Sequence, residues 1–580
     1  MRRTVLASIL LGSALVAQDL QWQLPERGAA VYQRQLAVET ANEPKDAWVP
    51  EPWAGRPAEA VLLHGELDAK RLRHDVVVAE PRQFLAAVAL DLSRTKAGRS
   101  ELVVEGWDRF RPVRVEVTWT ALAEDGTQSF EATVSVDPKV SRDGYVPPPQ
   151  APRMTGTFRG TRTVDRARGL VSSFEGSATL LLEHPKHKDW DREHPERRQQ
   201  LKLRDAWRLD RLLAPEDPEF RTRVADGIRK SVEALRRQLD QRMNIQPGGD
   251  PFHDAQPGEL ALILLALMRG GEDPRSEHMQ KGYGQLRKLV IQGTYSLAVA
   301  ILAVEALYTP PGEWADLRSG RIKTPLPRVL SAEDATLVAE WTKELLDNVD
   351  TTVDQAYLRR WHYGPSQSWD NSNTQYALLG LYGALLCGIE VPAQVWPAAA
   401  NHWLQVKAVD GPSGALDLVL QSDLGKSRTR AGGSAKLQPV GWSYQQGGPP
   451  TGSMTTAGIS GLTVCASAMR MQKRGNPKLL KDIDTALRGS FLWFERNLTV
   501  RHNPGPRHAW GGWFHYYLYG LERACELNQV ALLGGRDWYF EGAMQLLSSQ
   551  NADGSWGGWV DTAFGLLFLK KTALPAVTGR

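Results

Sequence analysis

Hydrophobic and polar positions follow two different periods along the chain, with a change near residue 215. In the first part apolar and polar residues alternate, which is typical of strands with one buried face. Such short β-rich runs occupy residues 61–63, 76–78, 102–104, 113–119, 130–136, 154–164 and 171–182. The acidic, glycine-containing segment 124–127 predicts a hairpin turn. Residues 18–182 are therefore predicted to form an all-β sandwich or open barrel.

Charged residues dominate the next segment, residues 183–214, where Lys, Arg, Asp and Glu crowd around two tryptophans. We interpret this segment as a solvated, charged linker. His184, His187 and His194 lie within it, but no cysteine or carboxylate stands at a spacing that supports metal ligation.

Helical periodicity governs residues 215–580. The predicted helices are 220–243, 259–268, 279–291, 294–308, 332–346, 374–387, 393–406, 455–473, 477–497, 514–528, 537–549 and 560–571. Some are apolar on nearly every face and must be enclosed, whereas others are amphipathic with Arg and Lys outside. Recurring hairpins of one enclosed and one exposed helix predict an all-α domain of stacked helical repeats.

The amino terminus has the features of a secretory signal. Two arginines precede the short apolar run 4–16, which predicts a signal peptide over residues 1–17. No later segment is apolar enough to span a membrane, so the remaining chain is expected in the periplasm or outside the cell.

Composition excludes some function classes. A hydrophobic fraction of 42% allows large cores, and the formal charge of +4 gives no support for a nucleic-acid partner. Cys387, Cys465 and Cys525 stand apart in apolar runs, so they predict neither a disulfide framework nor a zinc site. No cofactor and no metal is predicted.

The turn 550–559 carries the sequence QNADGSWGGW and leads into an apolar helix. Leu546, Gln550, Gly554 and Trp556 resemble the glutamine–tryptophan repeat of squalene and oxidosqualene cyclases. This resemblance covers roughly residues 220–571 and implies an α/α toroid, the fold that those cyclases share with protein prenyltransferase β-subunits and complement-type thioester domains. The fold class that follows is α+β, with the β-rich part first and the toroid second.

The catalytic motifs of the resembled families do not match this sequence. The Asp-x-Asp-Asp motif that supplies the general acid of the cyclases is missing. The Cys-Gly-Glu-Gln motif of the thioester domains is matched only in part by Cys387-Gly388-Ile389-Glu390, which has an inserted Ile and lacks the Gln. The zinc ligands of the prenyltransferases lack their Asp-x-x-Cys pair.

If the toroid closes, the amino ends of its enclosed helices gather at one end and bring chemistry-bearing residues together. The candidates for acid–base catalysis are Asp370, His253, His508 and Asp561. The candidates for ligand binding are Trp369, Asn371, Trp442, Tyr444, Trp510, Trp513, His515 and Tyr516. An alternative is that Asp370, Asn371 and Asp561 only cap helices.

Two kinds of function remain open at this point. The first is a toroid that binds a glycan, an apolar lipid or an envelope protein without turnover, as the missing catalytic motifs favour. The second is an enzyme that works in the toroid cavity and resembles polysaccharide lyases, hydrolases or terpenoid cyclases. Fold analogy does not decide between them.

Overall fold

The computed structural model describes residues 27–42, 47–50, 58–66, 84–108, 111–136, 152–189, 192–242, 255–319, 321–364, 368–424, 436–505 and 513–571. The chain divides into two compact units, Ala30–Leu212 and Leu213–Arg580, and Arg27–Ala29 belongs to the second. The first is a sheet and the second is helical, which confirms the predicted two-part α+β layout. The predicted signal peptide, residues 1–17, and the predicted strand 76–78 lie outside the described residues.

One antiparallel sheet forms the first unit. Its strands are β1 (Ala29–Ala41), β2 (Val49–Pro50), β3 (Ala58–Leu63), β4 (Gly98–Asp108), β5 (Arg111–Trp119), β6 (Thr127–Val136), β7 (Arg153–Asp165), β8 (Leu170–His184) and, after the small hairpin of β9 (His187–Asp189) and β10 (Arg192–His194), β11 (Arg197–Leu213). The order is β2-β1-β11-β8-β7-β6-β5-β4, and β3 also pairs with β1. The described strands thus make one continuous sheet and not the two facing sheets of a sandwich, because each strand in this order is hydrogen-bonded to the next.

The hairpin predicted at residues 124–127 is confirmed, and a second hairpin joins β7 to β8. The turn 124–126 joins β5 to β6, and Trp119 stands opposite Phe130 in their register. Strands β7 and β8 pair from Arg153 opposite Glu183 towards the connecting turn.

The prediction of a charged linker over residues 183–214 is wrong. Strand β11 pairs with β8 from Arg197 opposite His184 to Arg208 opposite Ser173. Leu203 is buried on one face, whereas Arg208 is exposed on the other. The exposed positions of this strand are so heavily charged that they conceal its period of two.

A short apolar helix, α1 (Phe84–Ala89), packs on the buried face of the sheet, where it contacts β4, β7 and β8. Arg162 of β7 is fully buried and holds the carboxyl end of this helix. Its guanidinium donates to the carbonyl oxygens of Ala89 (2.7 Å), Asp91 (2.7 Å) and Arg94 (2.6 Å). A helix end leaves carbonyl groups without partners, and this arginine satisfies them.

We predict that Arg162→Met lowers the free energy of unfolding of the sheet unit by about 3 kcal/mol or more, because three buried carbonyl oxygens lose their donor. Urea denaturation measures this loss. The matched control is Arg99→Met, since Arg99 is exposed and its ion pair with Glu116 lies at the surface. The control is expected to change stability by less than about 1 kcal/mol; equal losses in the two variants would contradict the assigned role.

The second unit contains all twelve predicted helices, and most ends agree within a few residues. They are α2 (Pro218–Arg242), α3 (Ala255–Gly270), α4 (Glu277–Leu286), α5 (Thr294–Leu307), the additional short α6 (Glu313–Arg318), α7 (Ala332–Asp347), α8 (Asn371–Leu386), α9 (Val395–Val406), α10 (Gly452–Met471), α11 (Pro477–Asn497), α12 (Phe514–Leu527), α13 (Trp538–Ser549) and α14 (Trp559–Lys570). Two short strand pairs lie in the loops: β12 (Ala408–Val409) with β14 (Val440–Gly441), and β13 (Leu418–Leu420) with β15 (Val530–Leu533).

Six of these helices close a ring. In the order α3, α5, α8, α10, α12 and α14 each contacts the next, and α14 contacts α3. The remaining long helices pack outside: α2 on α3 and α14, α7 on α5 and α8, α9 and α11 on α10, and α13 on α2 and α14. The ring helices are apolar on nearly every side because neighbours cover every face, as the burial of nearly all of α5, α8 and α10 shows. In the described part of the chain, no helix combines the length and apolarity that a membrane span needs.

Three buried tryptophans, each between an outer helix and the following ring helix, fix where ring helices begin. The indole N–H groups of Trp361, Trp442 and Trp556 donate to the carbonyl oxygens of Leu345 (2.7 Å), Trp403 (2.9 Å) and Leu546 (2.8 Å) in the preceding outer helices. Their main-chain N–H groups donate to the hydroxyls of Thr374 (3.1 Å), Thr455 (3.2 Å) and Thr562 (3.0 Å) in the first turn of the next ring helix. We call each such set a tryptophan clamp.

The indole of a clamp also needs a small residue on the ring helix. A Cβ added to Gly458 would lie 2.3 Å from the ring of Trp442, and one added to Gly565 would lie 2.7 Å from the ring of Trp556. Glycine at these positions lets the helix backbone approach the indole face.

We predict that Gly458→Ala lowers the free energy of unfolding of the helical unit by about 2 kcal/mol, because the new methyl group overpacks the clamp. The control is Gly284→Ala in α4, where nothing lies within 4 Å of an added Cβ. There alanine is expected to stabilise by up to about 1 kcal/mol through its helix propensity. Chemical denaturation measures the free energy of unfolding of both variants. A Gly458→Ala protein as stable as the wild type would contradict this packing.

Candidate functional site

The amino ends of the ring helices α5, α8, α10, α12 and α14 meet at one end of the ring. Helices α5, α8 and α10 each contact the loop that leads into the next ring helix, and α12 contacts the first turn of α14. Main-chain N–H groups donate from Thr294 to the Tyr363 carbonyl (3.2 Å), from Asn371 to that of Tyr444 (3.0 Å) and from Gly452 to that of Pro504 (2.6 Å). His515, at the start of α12, lies 3.0 Å from Asp561, in the first turn of α14. We call this end of the ring the mouth.

Exposed aromatic side chains cover part of the mouth. Tyr363 is 46% exposed, Tyr444 is 44% exposed and Trp513 is 72% exposed. The hydroxyls of Tyr363 and Tyr444 are 2.9 Å apart. Tyr516 links these residues to the ring, since its hydroxyl lies 3.3 Å from that of Ser372 and its ring centroid 6.2 Å from that of Trp513. These five residues form what we call the mouth surface.

Trp513 has an unusual backbone as well as an exposed side chain. It precedes α12 with a φ of 65°, in the left-handed region that bulky residues rarely adopt. Its exposure leaves little packing that would offset this cost. Strained residues of this kind concentrate at functional sites.

Asp370 caps a helix, as one of the two hypotheses predicted. It is 1% exposed, and its carboxylate accepts hydrogen bonds from the main-chain N–H (2.8 Å) and the side-chain amide (2.7 Å) of Asn373. Burial raises the pKa of Asp370, although these hydrogen bonds oppose the shift. Because both oxygens serve the first turn of α8, this carboxylate is poorly placed to act as a general base.

Asn371 and Asp561 are not helix caps, so this alternative is wrong for both. Asn371 begins α8 after its cap, and its amide donates to the Ser443 carbonyl (2.8 Å) while its oxygen lies 2.9 Å from Nε2 of His402. Asn371 is 1% exposed and connects the loop of Ser443 to helix α9, which carries His402. Asp561 stands in the first turn of α14, whose cap is Gly558.

Two of the predicted ligand-binding tryptophans are held by protein groups. Trp442 is fully buried in its clamp, so the prediction that it contacts a ligand is wrong. Trp369 is half-buried and has the guanidinium of Arg360 4.2 Å from its ring centroid. An aromatic residue before a helix can be an anchor or a binding surface, and its burial decides which.

His515 and Asp561 form the one close histidine–carboxylate pair among the predicted site residues that the structure describes. Nδ1 of His515 lies 3.0 Å from Oδ1 of Asp561, and their side chains are 15% and 43% exposed. A carboxylate in this position orients the imidazole and selects its tautomer. His253, His508 and Trp510 lie outside the described residues. In the described ranges, no cluster of three or more His, Cys, Asp or Glu residues could hold a metal ion.

Tyrosines from three ring helices meet inside the ring. The ring centroids of Tyr376 and Tyr516 are 6.1 Å apart, those of Tyr295 and Tyr376 4.4 Å, and those of Tyr519 and Phe564 5.6 Å. Burial raises the pKa of Tyr376, Tyr516 and Tyr519, so these phenols are neutral. The sequence prediction missed Tyr363, Ser372, Tyr376 and Tyr519. These residues lie on the predicted enclosed helices or in the loops before them, and this position could have marked them as candidates.

A concave surface lies on the exposed face of the sheet. It is an open groove of about 540 Å³ across β4 to β8, lined mainly by charged and hydroxyl side chains such as Arg99, Glu116, Thr133 and Arg159. None of the predicted site residues lies there. Its side chains are the ordinary solvated face of an antiparallel sheet, so the mouth is the stronger candidate.

Comparisons with known proteins do not identify a family. No protein-family model matches this chain, and none of the curated proteins compared with it matches. One solved structure, described as lipid–protein interactions in lipovitellin, aligns with 82% of this chain and 57% of its own at 10% identity, with a TM-score of 0.19. This chain thus spans a little over half the length of that neighbour, and a TM-score this low does not indicate a shared fold.

We predict that His402 makes the protein acid-sensitive. Burial, with a smaller contribution from Arg360, lowers the pKa of His402 from 6.5 to about 3. Below pH 6.5 the unfolded chain therefore takes up a proton that the folded chain refuses, and stability falls by about 1.4 kcal/mol per pH unit until about pH 3.

Urea unfolding at pH 7 and pH 5 tests this linkage. Between these two pH values the wild type is expected to lose roughly 2 kcal/mol more than His402→Gln, whose amide can still donate to Asn371 without titrating. The same pH dependence in both proteins would show that His402 does not carry the effect.

Proposed function

We propose that the helical unit is an α/α toroid of the type found in terpenoid cyclases and protein prenyltransferases, and that it binds a glycan at its mouth. The closed ring of α3, α5, α8, α10, α12 and α14 with outer helices between its members supports the toroid. Gln550, in the turn that resembles the glutamine–tryptophan repeat, also supports the toroid. Its side-chain amide donates to the carbonyl oxygens of Gly227 (3.0 Å) in α2 and of Gly554 (3.0 Å) within the turn.

The exposure of the aromatic side chains on the mouth surface carries the glycan proposal. Tyr363, Tyr444 and Trp513 leave between 44% and 72% of their surface open to solvent. The C–H face of a sugar ring packs on such aromatic faces, and its hydroxyls find hydrogen-bond partners in the tyrosine and Ser372 hydroxyls. A few polar groups among aromatic ones fit a carbohydrate better than they fit a hydrocarbon.

The ring interior disfavours an apolar lipid. Phenol groups and the guanidinium of Arg523 face one another inside the ring, 4.3 Å separating the guanidinium carbon from the ring centroid of Tyr519. A hydrocarbon chain there would leave these polar groups without partners, which is costly. An isoprenoid is therefore a poor occupant.

Asp370 and His402 support a protein that binds its ligand without turnover. Asp370 is engaged as a helix cap, and His402 is buried and neutral. Neither is free to transfer a proton to a ligand at the mouth. With the predicted signal peptide, the glycan would be met outside the cytoplasm.

The pair His515–Asp561 favours a second candidate function, a polysaccharide lyase or hydrolase. Both residues stand at the mouth, 3.0 Å apart, with Asp561 oriented to hold the imidazole. An imidazole held by a carboxylate is a common general base.

We predict that the purified protein binds soluble oligosaccharides and that Trp513→Ala and Tyr444→Ala each weaken binding about tenfold or more, as loss of a central aromatic contact does. Isothermal titration calorimetry with neutral, acidic and amino-sugar oligosaccharides measures the affinity. Liposomes loaded with an isoprenoid alcohol form the competing arm.

Tyr357→Ala is the matched control, because Tyr357 is 62% exposed but lies outside the mouth surface. Binding of the isoprenoid liposomes without any oligosaccharide binding would overturn the glycan proposal, as would equal effects of Trp513→Ala and Tyr357→Ala. New reducing ends or unsaturated products, lost in His515→Ala with binding retained, would establish the second candidate.

A further inference from the structure

The hydroxyl groups of Tyr363 and Tyr444 form a hydrogen-bonded pair on the mouth surface, and Asp370 fixes the direction of that pair. Both carboxylate oxygens of Asp370 accept hydrogen bonds from Asn373, one from its main-chain N–H (2.8 Å) and one from its side-chain amide (2.7 Å). The Tyr444 hydroxyl also makes a side-chain hydrogen bond with Asp370. A carboxylate accepts hydrogen bonds but does not donate them, so Tyr444 is the donor in this bond.

Both hydroxyl hydrogens of the pair are therefore used within the protein. The hydroxyl oxygens of Tyr363 and Tyr444 are 2.9 Å apart. Because Tyr444 gives its hydrogen to Asp370, Tyr363 is the donor across this distance. Burial, the hydrogen bond with Tyr363 and the charge of Asp370 raise the pKa of Tyr444, which keeps its hydrogen in place. The two oxygens can accept hydrogen bonds from a ligand, but they have no hydrogen left to donate to it.

The charges and ring faces at the mouth favour a positively charged donor. The side chain of Asp561 is 43% exposed there, and the buried carboxylate of Asp370 is in hydrogen-bond contact with Tyr444. The exposed rings of Tyr363, Tyr444 and Trp513 add to this preference, since aromatic faces attract cations. Acceptor oxygens, carboxylates and aromatic faces therefore act in the same direction.

Two described cations lie near these residues, and neither reverses the preference. Arg360 has its guanidinium carbon 4.2 Å from the ring centroid of Trp369, but Asp350 balances its charge (2.6 Å). The charge of Arg523 acts on Tyr516, but its guanidinium nitrogens are closed off from solvent. Arg523 follows Tyr516 by seven residues in α12, about 10 Å along the helix. It lies too far inside to contact a ligand on the exposed rings.

We infer that the mouth surface selects an amino sugar with a free ammonium group over neutral and acidic sugars. An ammonium group carries a positive charge and donates three hydrogen bonds, which the paired tyrosine oxygens can accept. This inference rests on the proposed binding of a glycan at the mouth and names the class of sugar. The formal charge of the whole chain is +4, so its overall charge would repel an ammonium group and cannot produce the preference.

The test compares two oligosaccharides of equal length, one of glucosamine and one of N-acetylglucosamine, which share the sugar ring and differ in the charged group. Isothermal titration calorimetry with the full chain is done at about pH 6, where an amine of this kind is protonated. The glucosamine oligomer is expected to bind about tenfold more tightly. Added salt is expected to narrow the difference, because the mouth surface is exposed to solvent. An oligomer of galacturonic acid, with a carboxylate on each ring, is expected to bind more weakly than either.

Two variants locate the source of the preference. Asp561→Asn removes an exposed charge at nearly constant shape, and Tyr444→Phe removes the hydroxyl that Asp370 holds while it keeps the ring. Each is expected to reduce the preference for the glucosamine oligomer by about threefold, as loss of one exposed polar or ionic contact does. The matched control is Asp482→Asn, since Asp482 is an exposed carboxylate on the outer helix α11; this variant is expected to keep the whole preference.

The outcomes separate this inference from the proposed function. Equal binding of the glucosamine and N-acetylglucosamine oligomers, or tighter binding of the galacturonic acid oligomer, would overturn the inference and leave the glycan proposal standing. A preference unchanged in both Asp561→Asn and Tyr444→Phe would also overturn it, because the mouth surface would not be its source. No binding of any oligosaccharide would overturn both the inference and the glycan proposal.

Discussion

Each tryptophan clamp joins an outer helix to the next ring helix, and the geometry of the mouth depends on these joints. The last carbonyl groups of a helix have no partner within the helix. In the clamps, the indoles of Trp361, Trp442 and Trp556 supply donors to these outer-helix carbonyls, while a threonine hydroxyl in the next ring helix receives the tryptophan's own main-chain N–H. The chain between the two helices is thereby held at both ends. The loops that carry Tyr363 and Tyr444 follow directly after two of these clamps, so their aromatic side chains stand on a fixed support.

The clamps also explain the small residues of the ring helices. Gly458 and Gly565 are placed three residues after the clamp threonines Thr455 and Thr562, on the adjoining turn of the helix. The indole face fills the space that a side chain would take there. Glycine in these helices therefore serves close packing, although it lowers helix propensity.

The helices were predictable because their apolar positions repeat with the helical period over long segments. Strand β11 could not be predicted, because charges fill its exposed positions. Helix α1 could not be predicted either, because six apolar residues enclosed on all sides show no hydrophobic period. At the mouth, the sequence located Tyr444, Trp513, His515 and Tyr516. It could not separate them from Trp442, since burial depends on contacts with residues far away in the chain. Arg523 escaped notice because an arginine within a helix is normally on its exposed face.

The polar interior constrains what this ring can do. A cavity that stabilises carbocations or holds isoprenoid chains must present apolar and aromatic faces without a fixed cation among them, since a cation would repel developing positive charge. Here the guanidinium of Arg523 stands between the rings of Tyr376 and Tyr519, and the charge of Glu522 also acts on it. The same residues are hydrogen-bond donors that the oxygen atoms of a ligand can use. The electrostatics of the interior and the aromatic mouth above it therefore agree in favouring oxygen-rich ligands over hydrocarbons.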